Sequence, residues 1–256
     1  MKKIKHFSAV VVFVAMAFSY VFAEETKAER ENIVFIGAHP DDSEGFAGLA
    51  FILSRNYNIH VVDYTNGDFG LGEKGFLDGS TAKRRIREEH EACKVLGATP
   101  HFIGEVDGRA YVTPASVQKI CDILAKLKPK AVFTHWPVDS HFDHCMTAAA
   151  TYKAIRQIKC KTEFYYYEVL EGQTRAWVPL YSVDITSVMD KKIEMLRKYE
   201  CQNEGDSIVK QKVRLALKRG EQREPKVKYA ETFTTYNGKH IPKWLLANLP
   251  ETVLVK

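Results

Sequence analysis

Two short polar segments contain the side chains whose types and spacing are best suited to chemistry. The first is the turn His39-Pro40-Asp41-Asp42, and the second is His141-Phe142-Asp143-His144. Imidazole nitrogens and carboxylate oxygens are common ligands of zinc and of other borderline divalent metals. Residues three apart on a helix or tight turn face the same way, so His141 and His144 can address one point. The two segments predict a metal site if the fold brings them together.

The adjacent carboxylates of Asp41 and Asp42 need an explanation, because like charges repel and disfavour compact burial. A bound cation would compensate them, or the two groups would point in different directions. An ordinary alternative is that one of them caps a helix beginning near Gly45, since Asp is frequent at that position. The same alternative applies to Asp143 in the second segment. The two segments therefore have to be placed in the fold before a site is assigned.

The rest of the chain alternates short apolar runs with longer segments of helical period. Predicted strands cover residues 33–38, 58–65, 101–104, 131–135 and 163–170, with 181–185 as a candidate addition, and predicted helices cover 45–57, 81–96, 114–127 and 143–158. Such alternation is typical of βαβ units. It predicts a doubly wound, Rossmann-like α/β fold with a mostly parallel sheet and helices on both faces.

The predicted topology brings the two polar segments to the same edge of the sheet. Right-handed crossovers commonly place the first and fourth strands side by side, and a crevice opens beyond their carboxyl ends. His39 follows the first predicted strand, and His141 comes shortly after the fourth. We therefore expect one joint metal site. Three protein ligands and one open position are the usual arrangement of a catalytic zinc.

These motifs resemble those of the PIG-L/LmbE-like zinc-dependent de-N-acetylases, a family that includes N-acetylglucosaminyl-phosphatidylinositol, GlcNAc-inositol and GlcNAc-malate deacetylases. The likeness rests first on Ala38-His39-Pro40-Asp41-Asp42-Ser43-Glu44 and on the second polar segment. It extends through most of residues 24–256. Further similar segments are Thr65-Asn66-Gly67-Asp68, Arg85-x-x-Glu88 ahead of Ala92 and Leu96-Gly97, residues 192–202, and Ala230-Glu231-Thr232-Phe233.

The resemblance implies a ligand set and a general base. By this likeness His39, Asp42 and His144 bind zinc, and Asp41 draws a proton from zinc-bound water as the water attacks an acetamide carbonyl. Zinc can lower the pKa of such a water to about 7. The implied function is removal of an N-acetyl group from an amino sugar or glycoconjugate.

The resemblance also implies roles for the surrounding polar side chains. His141, oriented by Asp143, would stabilise the oxyanion as an imidazolium and protonate the departing amine. Arg85 and Asp68 would contact the substrate, and Glu44 would support the site.

Three positions depart from the family pattern. Phe142 stands where the family usually has Pro, and Asp68 stands where it usually has Glu. Leu71 lies near the position of a substrate-binding Glu in the inositol-directed enzymes. None of these changes removes a predicted metal ligand, but Leu71 argues against assigning this chain an inositol-containing substrate.

The first 23 residues have the pattern of a cleaved export signal. Lys2, Lys3 and Lys5 form a basic head, an apolar run follows, and Val21-Phe22-Ala23 has the small-residue spacing of a cleavage site. The run is shorter than the roughly 20 residues that span a bilayer, which weakens the alternative of a retained anchor. The prediction is a periplasmic or secreted protein.

Residues 24–256 are predicted to form one domain, because the composition is ordinary for a globular protein and no linker or repeat divides it. Loss of the three signal lysines lowers the formal net charge from +5 to +2, so nucleic acid is not expected as a partner. The basic cluster at 210–228 has apolar residues at near-helical spacing and predicts an amphipathic helix. Five scattered cysteines indicate no disulfide framework, although one pair could bridge in an oxidising compartment.

The same residues and fold could also serve functions other than deacetylation. A metalloenzyme of the same constellation could hydrolyse another amide or an ester, and a non-catalytic protein could use the site to bind zinc or sugar. Retention of Asp41 argues against the second alternative. A nucleotide-dependent α/β enzyme is disfavoured, because no G-x-G-x-x-G or Walker-type loop follows the first strand.

Overall fold

The computed structural model describes residues 30–159, 161–236, 243–249 and 253–254. The predicted export signal at 1–23 and Cys160 lie outside these ranges. Within them, no helix is long and apolar enough to cross a membrane. The single-domain organisation of 24–256 stays a prediction.

A mixed sheet organises the described residues. Its strands are β1 Asn32–Gly37, β2 Asn58–Thr65, β3 Ala98–Glu105, β4 Ala131–His135, β5 Glu163–Tyr167, β6 Tyr181–Asp184, β7 Ala230–Thr235 and β8 Val253–Leu254. They lie in the order β3-β2-β1-β4-β5-β7-β6-β8. Strands β1 to β5 pair in parallel, and the three pairings beyond β5 are antiparallel. The predicted α/β class, with a mostly parallel sheet, is confirmed.

Helices cover both faces of this sheet, as predicted. They are α1 Ala47–Leu53, α2 Glu73–Leu77, α3 Ser80–Leu96, α4 Pro114–Leu127, α5 Phe142–Gln157, α6 Met189–Leu196, α7 Ser207–Glu221 and α8 Lys243–Asn248. Buried residues of α1, α3, α6 and α7 pack in one apolar cluster, and those of α4 and α5 pack in a second. The basic cluster contributes to α7, whose buried side includes Val209 and Ala216.

Strand β1 is the centre of the fold because both of its faces are buried. Ile33 and Phe35 point into one apolar cluster, while Val34 and Ile36 point into the other. The strand pairs with β2 on one side and with β4 on the other. The first and fourth strands are therefore neighbours, and the chain segments that follow them meet at one edge.

Two elements differ from the sequence prediction. The predicted helix 45–57 is divided, because a 3₁₀ turn at Asp42–Gly45 precedes α1. Gly48 packs so closely that an added Cβ would lie 2.6 Å from Ile185 Cγ2, which explains this glycine by helix packing. At the other side of the sheet, β7 lies between β5 and β6, a chain reversal that the simple βαβ alternation did not predict.

The cysteines in the described part of the chain are free thiols. Cys93 and Cys121 are buried in α3 and α4. Cys145 and Cys201 are partly exposed.

Candidate active site

A polar pocket of about 410 Å³ opens at the carboxyl edge of the parallel strands. The turn after β1 and the N-terminus of α5 both contribute to it, so the two polar segments do meet. The predicted residues that line the pocket are His39, Asp41, Asp42, Glu44, Arg85, His141 and His144.

The three predicted metal ligands are close together and buried. Asp42 lies between two imidazoles, with Oδ2 3.4 Å from His39 Nδ1 and Oδ1 3.3 Å from His144 Nε2. The His39 and His144 ring centroids are 5.4 Å apart. His141 is more exposed, and its ring centroid lies 4.6 Å from that of His39 and 4.7 Å from that of His144.

Overlapping groups of donor atoms surround this point. Among the described residues there are three such trios, in each of which every residue offers one donor atom and the three atoms lie within 4.8 Å of one another. The trios are His39, His141 and His144; Asp42, His135 and His144; and His39, Asp107 and Asp143. The predicted trio spans the first two groups. Buried imidazoles and carboxylates in this number suit a borderline divalent metal.

Mutual contacts set the charge states of these groups. Burial opposes protonation of His39, but the carboxylates of Asp107, Asp143 and Asp42 raise its pKa well above the usual value. Burial likewise opposes ionisation of Asp42, but His144 and His135 hold its pKa well below the usual range. For His144, Asp42 and Asp139 outweigh burial and raise the pKa to about 9. Each imidazole thus shares a proton with a carboxylate where a metal would replace it.

Asp41 is separated from Asp42 in both direction and environment. Its φ of 132° is unfavourable for a residue with a Cβ, so this turn stores backbone strain. Burial raises the pKa of Asp41 to about 7, although the Arg85 guanidinium lowers it. The Asp41 side chain makes none of the helix-cap hydrogen bonds that the ordinary alternative required.

Arg85 holds the Asp41 carboxylate in place. Its Nη2 donates to Asp41 Oδ1 at 2.7 Å and to the Pro40 carbonyl at 2.5 Å. The side chain is 4% exposed and packs against Gly67 and Gly70. Arg85 lines the pocket, as the resemblance implied, but it is a buried clamp more than an open rim residue.

Asp143 contacts His39, where the resemblance implied His141 as its partner. Asp143 Oδ2 lies 3.1 Å from His39 Nε2, and the carboxylate accepts the backbone N–H groups of Gly108 and Ala110. These contacts orient His39 and fasten the loop after β3. Burial and repulsion from the other two histidines lower the pKa of His141, which disfavours the expected imidazolium.

Asp68 does not line the pocket. It accepts the backbone N–H of Asp107 at 3.4 Å and therefore supports the adjacent loop. Leu71 is 46% exposed and Phe142 is 52% exposed, both outside the polar lining. No structural contact supports the expected substrate role of Asp68.

Several polar residues at the site were not predicted from the sequence, among them Gln173, whose Nε2 lies 3.3 Å from His144 Nδ1. Asp107 Oδ1 lies 3.2 Å from His39 Nε2. Asp139 Oδ1 lies 3.3 Å from His144 Nδ1, on the ring edge opposite Asp42. His135 Nε2 contacts Asp42 Oδ2 at 3.0 Å, and its ring stacks on His144 at 4.0 Å. The position of His135 at the end of the fourth strand was the one available signal.

Glu44 is supported from behind the pocket by a buried lysine. Lys212 Nζ lies 2.7 Å from Glu44 Oε1 and also donates to the Val169 carbonyl. Because Lys212 is buried, this ion pair fixes the pocket wall to α7. The supporting role implied for Glu44 stays a prediction, and the structure shows what holds the side chain.

Comparison with known proteins identifies relatives of this architecture. The family model described as "PIG-L: GlcNAc-PI de-N-acetylase" matches residues 34–155 of this chain. The uncharacterized deacetylase YaiS of Escherichia coli is 31% identical over 140 residues, which cover 51% of this chain and 71% of YaiS. The 4-oxalmesaconate hydratase of Pseudomonas putida is 26% identical over 212 residues, which cover 75% of this chain and 81% of the hydratase.

Solved structures agree with this relationship at the level of the fold. The N,N'-diacetylchitobiose deacetylase of Pyrococcus horikoshii superposes with a TM-score of 0.69 at 22% identity, over 84% of this chain and 87% of that one. The chain therefore belongs to the PIG-L family, an enzyme family that has both deacetylases and hydratases among its members.

Proposed function

We propose that this protein is a metal-dependent hydrolase that removes the N-acetyl group from an amino sugar or glycoconjugate. The observation that carries the proposal is the position of Asp41, which lines the pocket beside the three candidate ligands and is held there by Arg85. A carboxylate that faces the pocket but is turned away from the ligand set can serve as a base. The other carboxylate of the turn is left for the metal.

The residues present fit a zinc ion. His39, Asp42 and His144 offer two nitrogens and one oxygen from buried side chains, and Asp143 and Asp139 contact the two imidazoles from outside the trio. Such outer contacts orient metal-bound histidines in known sites. When bound here, zinc would act as a Lewis acid and make water more acidic.

The chain's own residues account for the proton transfers. Asp41 takes the proton from a water molecule as its oxygen attacks the acetamide carbon. When the C–N bond breaks, the Asp41 carboxyl returns that proton to the departing amine. His141, on the open side of the trio, is placed to donate an N–H to the oxygen that gains negative charge. Acetate and the free amino sugar are the products.

A hydratase is the second candidate, because the 4-oxalmesaconate hydratase relative aligns over most of both chains. Addition of water to a double bond also needs a base and a metal, so the site alone does not discriminate. The descriptions of the matching family model and of the YaiS relative, both of which name a deacetylase, favour the first candidate.

We also propose that the deacetylase acts outside the cytoplasm. Residues 1–23 have the basic head, apolar run and small-residue spacing of an export signal. Fractionation of cells that produce the full chain, with N-terminal sequencing of the product, tests this. Recovery of the uncleaved chain in the cytoplasm would contradict it.

Acetate release tests the enzymatic proposal. The zinc-loaded protein is expected to release acetate from N-acetylglucosamine or its glycosides and to lose this activity to a chelator. As a control, Asp122→Asn removes an exposed acid on α4 and should release acetate at the wild-type rate. Hydration of an unsaturated carboxylate, with no acetate from any N-acetylated sugar, would favour the second candidate instead.

A further inference from the structure

Two aromatic rings stand exposed beside the polar pocket. Tyr111 is 59% exposed and Phe142 is 52% exposed. Their ring centroids are 6.2 Å apart, with the planes inclined by 69°. Two large aromatic side chains left in water next to a binding pocket are a common mark of a contact surface.

This aromatic pair is fastened to the candidate catalytic groups. Phe142 follows His141, which lines the pocket, and Asp143 accepts the backbone N–H groups of Gly108 and Ala110 at 2.6 and 3.3 Å. Tyr111 comes directly after Ala110, and its carbonyl accepts the Tyr64 hydroxyl at 2.8 Å. These contacts hold the backbone of both aromatic residues beside the site.

The pocket leaves part of a larger substrate outside. Its volume of about 410 Å³ lies near the lower end of the roughly 300–1,000 Å³ of small-molecule sites. The lining is mainly polar, so it suits one N-acetylated sugar unit better than an apolar group. A further unit of the substrate that extends from the pocket past His141 would reach Phe142, the next residue of the chain.

We propose that Tyr111 and Phe142 bind the sugar ring next to the N-acetylated one, and that the substrates are disaccharides or longer glycans. This inference rests on the proposed function. A pyranose has a face made of C–H groups that packs on an aromatic ring, while its hydroxyls stay in water at the edge. Two inclined rings can contact such a face and an adjoining edge, and aromatic contacts of this kind add affinity beyond the area they bury.

The test compares substrates of different length with the zinc-loaded enzyme. We measure kcat/KM for acetate release from N-acetylglucosamine and from N,N'-diacetylchitobiose, and take their ratio. Phe142→Ala and Tyr111→Ala should each lower the preference for the disaccharide by about three- to tenfold, the size of a lost aromatic contact. Phe142→Tyr should retain the preference, whereas Phe142→Leu should not.

Tyr236→Ala is the matched control. Tyr236 is 48% exposed and contacts Tyr152 and Phe164 at the opposite edge of the sheet. This variant should leave the ratio at its wild-type value. An unchanged ratio in Phe142→Ala and Tyr111→Ala would overturn the proposal, and so would full retention of the preference by Phe142→Leu, which would show that no aromatic ring is needed.

Binding of the reaction product separates this proposal from the proposed function. Calorimetry with mono-deacetylated N,N'-diacetylchitobiose and with glucosamine does not require turnover, and the wild type should bind the disaccharide more tightly than both aromatic variants do. Acetate release without any disaccharide preference in binding or turnover would overturn the platform and leave the deacetylase. Absence of acetate release together with equal binding of both sugars would overturn both.

Discussion

Replacing Arg85 with methionine removes the cation that holds the candidate base. The Arg85 side chain is 4% exposed and that of Asp41 is 17% exposed, with 2.7 Å between Nη2 and Oδ1. Breaking a buried ion pair costs about 3–5 kcal/mol, because the remaining charge loses its partner. Since Asp41 keeps some contact with water, we expect the lower end, about 3 kcal/mol. For a domain of this size that corresponds to a fall in Tm of about 6–12 °C.

The same substitution should lower the rate of acetate release. Asp41 lies on a strained backbone, and without Arg85 nothing else in the described contacts fixes its carboxylate toward the pocket. A displacement of about 1 Å in a catalytic group can cost about 100-fold in rate. We therefore expect kcat to fall about 100-fold. Arg85→Lys should be intermediate, because an ammonium keeps the positive charge but does not reproduce the position of the guanidinium Nη2 beside Asp41 and the Pro40 carbonyl.

A nearby arginine provides the control. Arg87, on the same helix, is exposed, so Arg87→Met should cost no more than about 1 kcal/mol and leave kcat unchanged. Thermal unfolding and a coupled acetate assay measure both quantities. If Arg85→Met kept kcat within about twofold of the wild type, the assignment of Arg85 as the support of the base would be refuted.

Lys192→Met should destabilise the fold by about 3–5 kcal/mol in urea denaturation, because Lys192 Nζ lies 2.6 Å from the buried Glu231 carboxylate. Lys94→Met removes one partner of an exposed pair and should change the free energy of unfolding little; equal costs of the two variants would contradict this. Burial and the neighbouring His101 lower the pKa of His60 to about 4. As the pH falls, the unfolded chain therefore takes up a proton on His60 before the folded chain does, and Tm should fall between about pH 6.5 and about pH 4. His60→Gln should flatten that slope, and an unaltered slope would exclude the mechanism. Gly67→Ala places a Cβ 2.6 Å from Arg85 Nη1 at a φ of 65°, so kcat and Tm should both fall, and wild-type values of both would count against this packing.

The fold could be predicted from the sequence because each strand of the parallel half carries its own signal. The apolar run in β1 and the period of α4 specify an element buried on two faces and an amphipathic helix. Predicted residues 131–135 coincide with β4, and predicted residues 114–127 coincide with α4. The insertion of β7 between β5 and β6 could not be predicted, since a chain reversal over many residues leaves no local pattern.

The location of the candidate site could be predicted from the sequence, but the hydrogen-bond partners of its side chains could not. The turn at His39 and the segment at His141 converge because parallel strands end at a common edge. Hydrogen-bond partners depend on side-chain directions, and Asp143 turns toward His39 and the loop after β3. Asp107 and Asp139 lie in loops, and no sequence periodicity specifies the path of a loop. Their contacts with the imidazoles of His39 and His144 therefore could not be predicted from the sequence.

The most direct test of the central claim is the turnover of Asp41→Asn with its metal content measured alongside. The amide preserves the shape of the side chain and removes the base, while His39, Asp42 and His144 are left to bind the metal. Elemental analysis should show zinc retained at the wild-type ratio, and acetate release from an N-acetylated sugar should fall by about 10²–10⁴-fold, the usual contribution of a general base. Full turnover by this variant with zinc still bound would contradict the account.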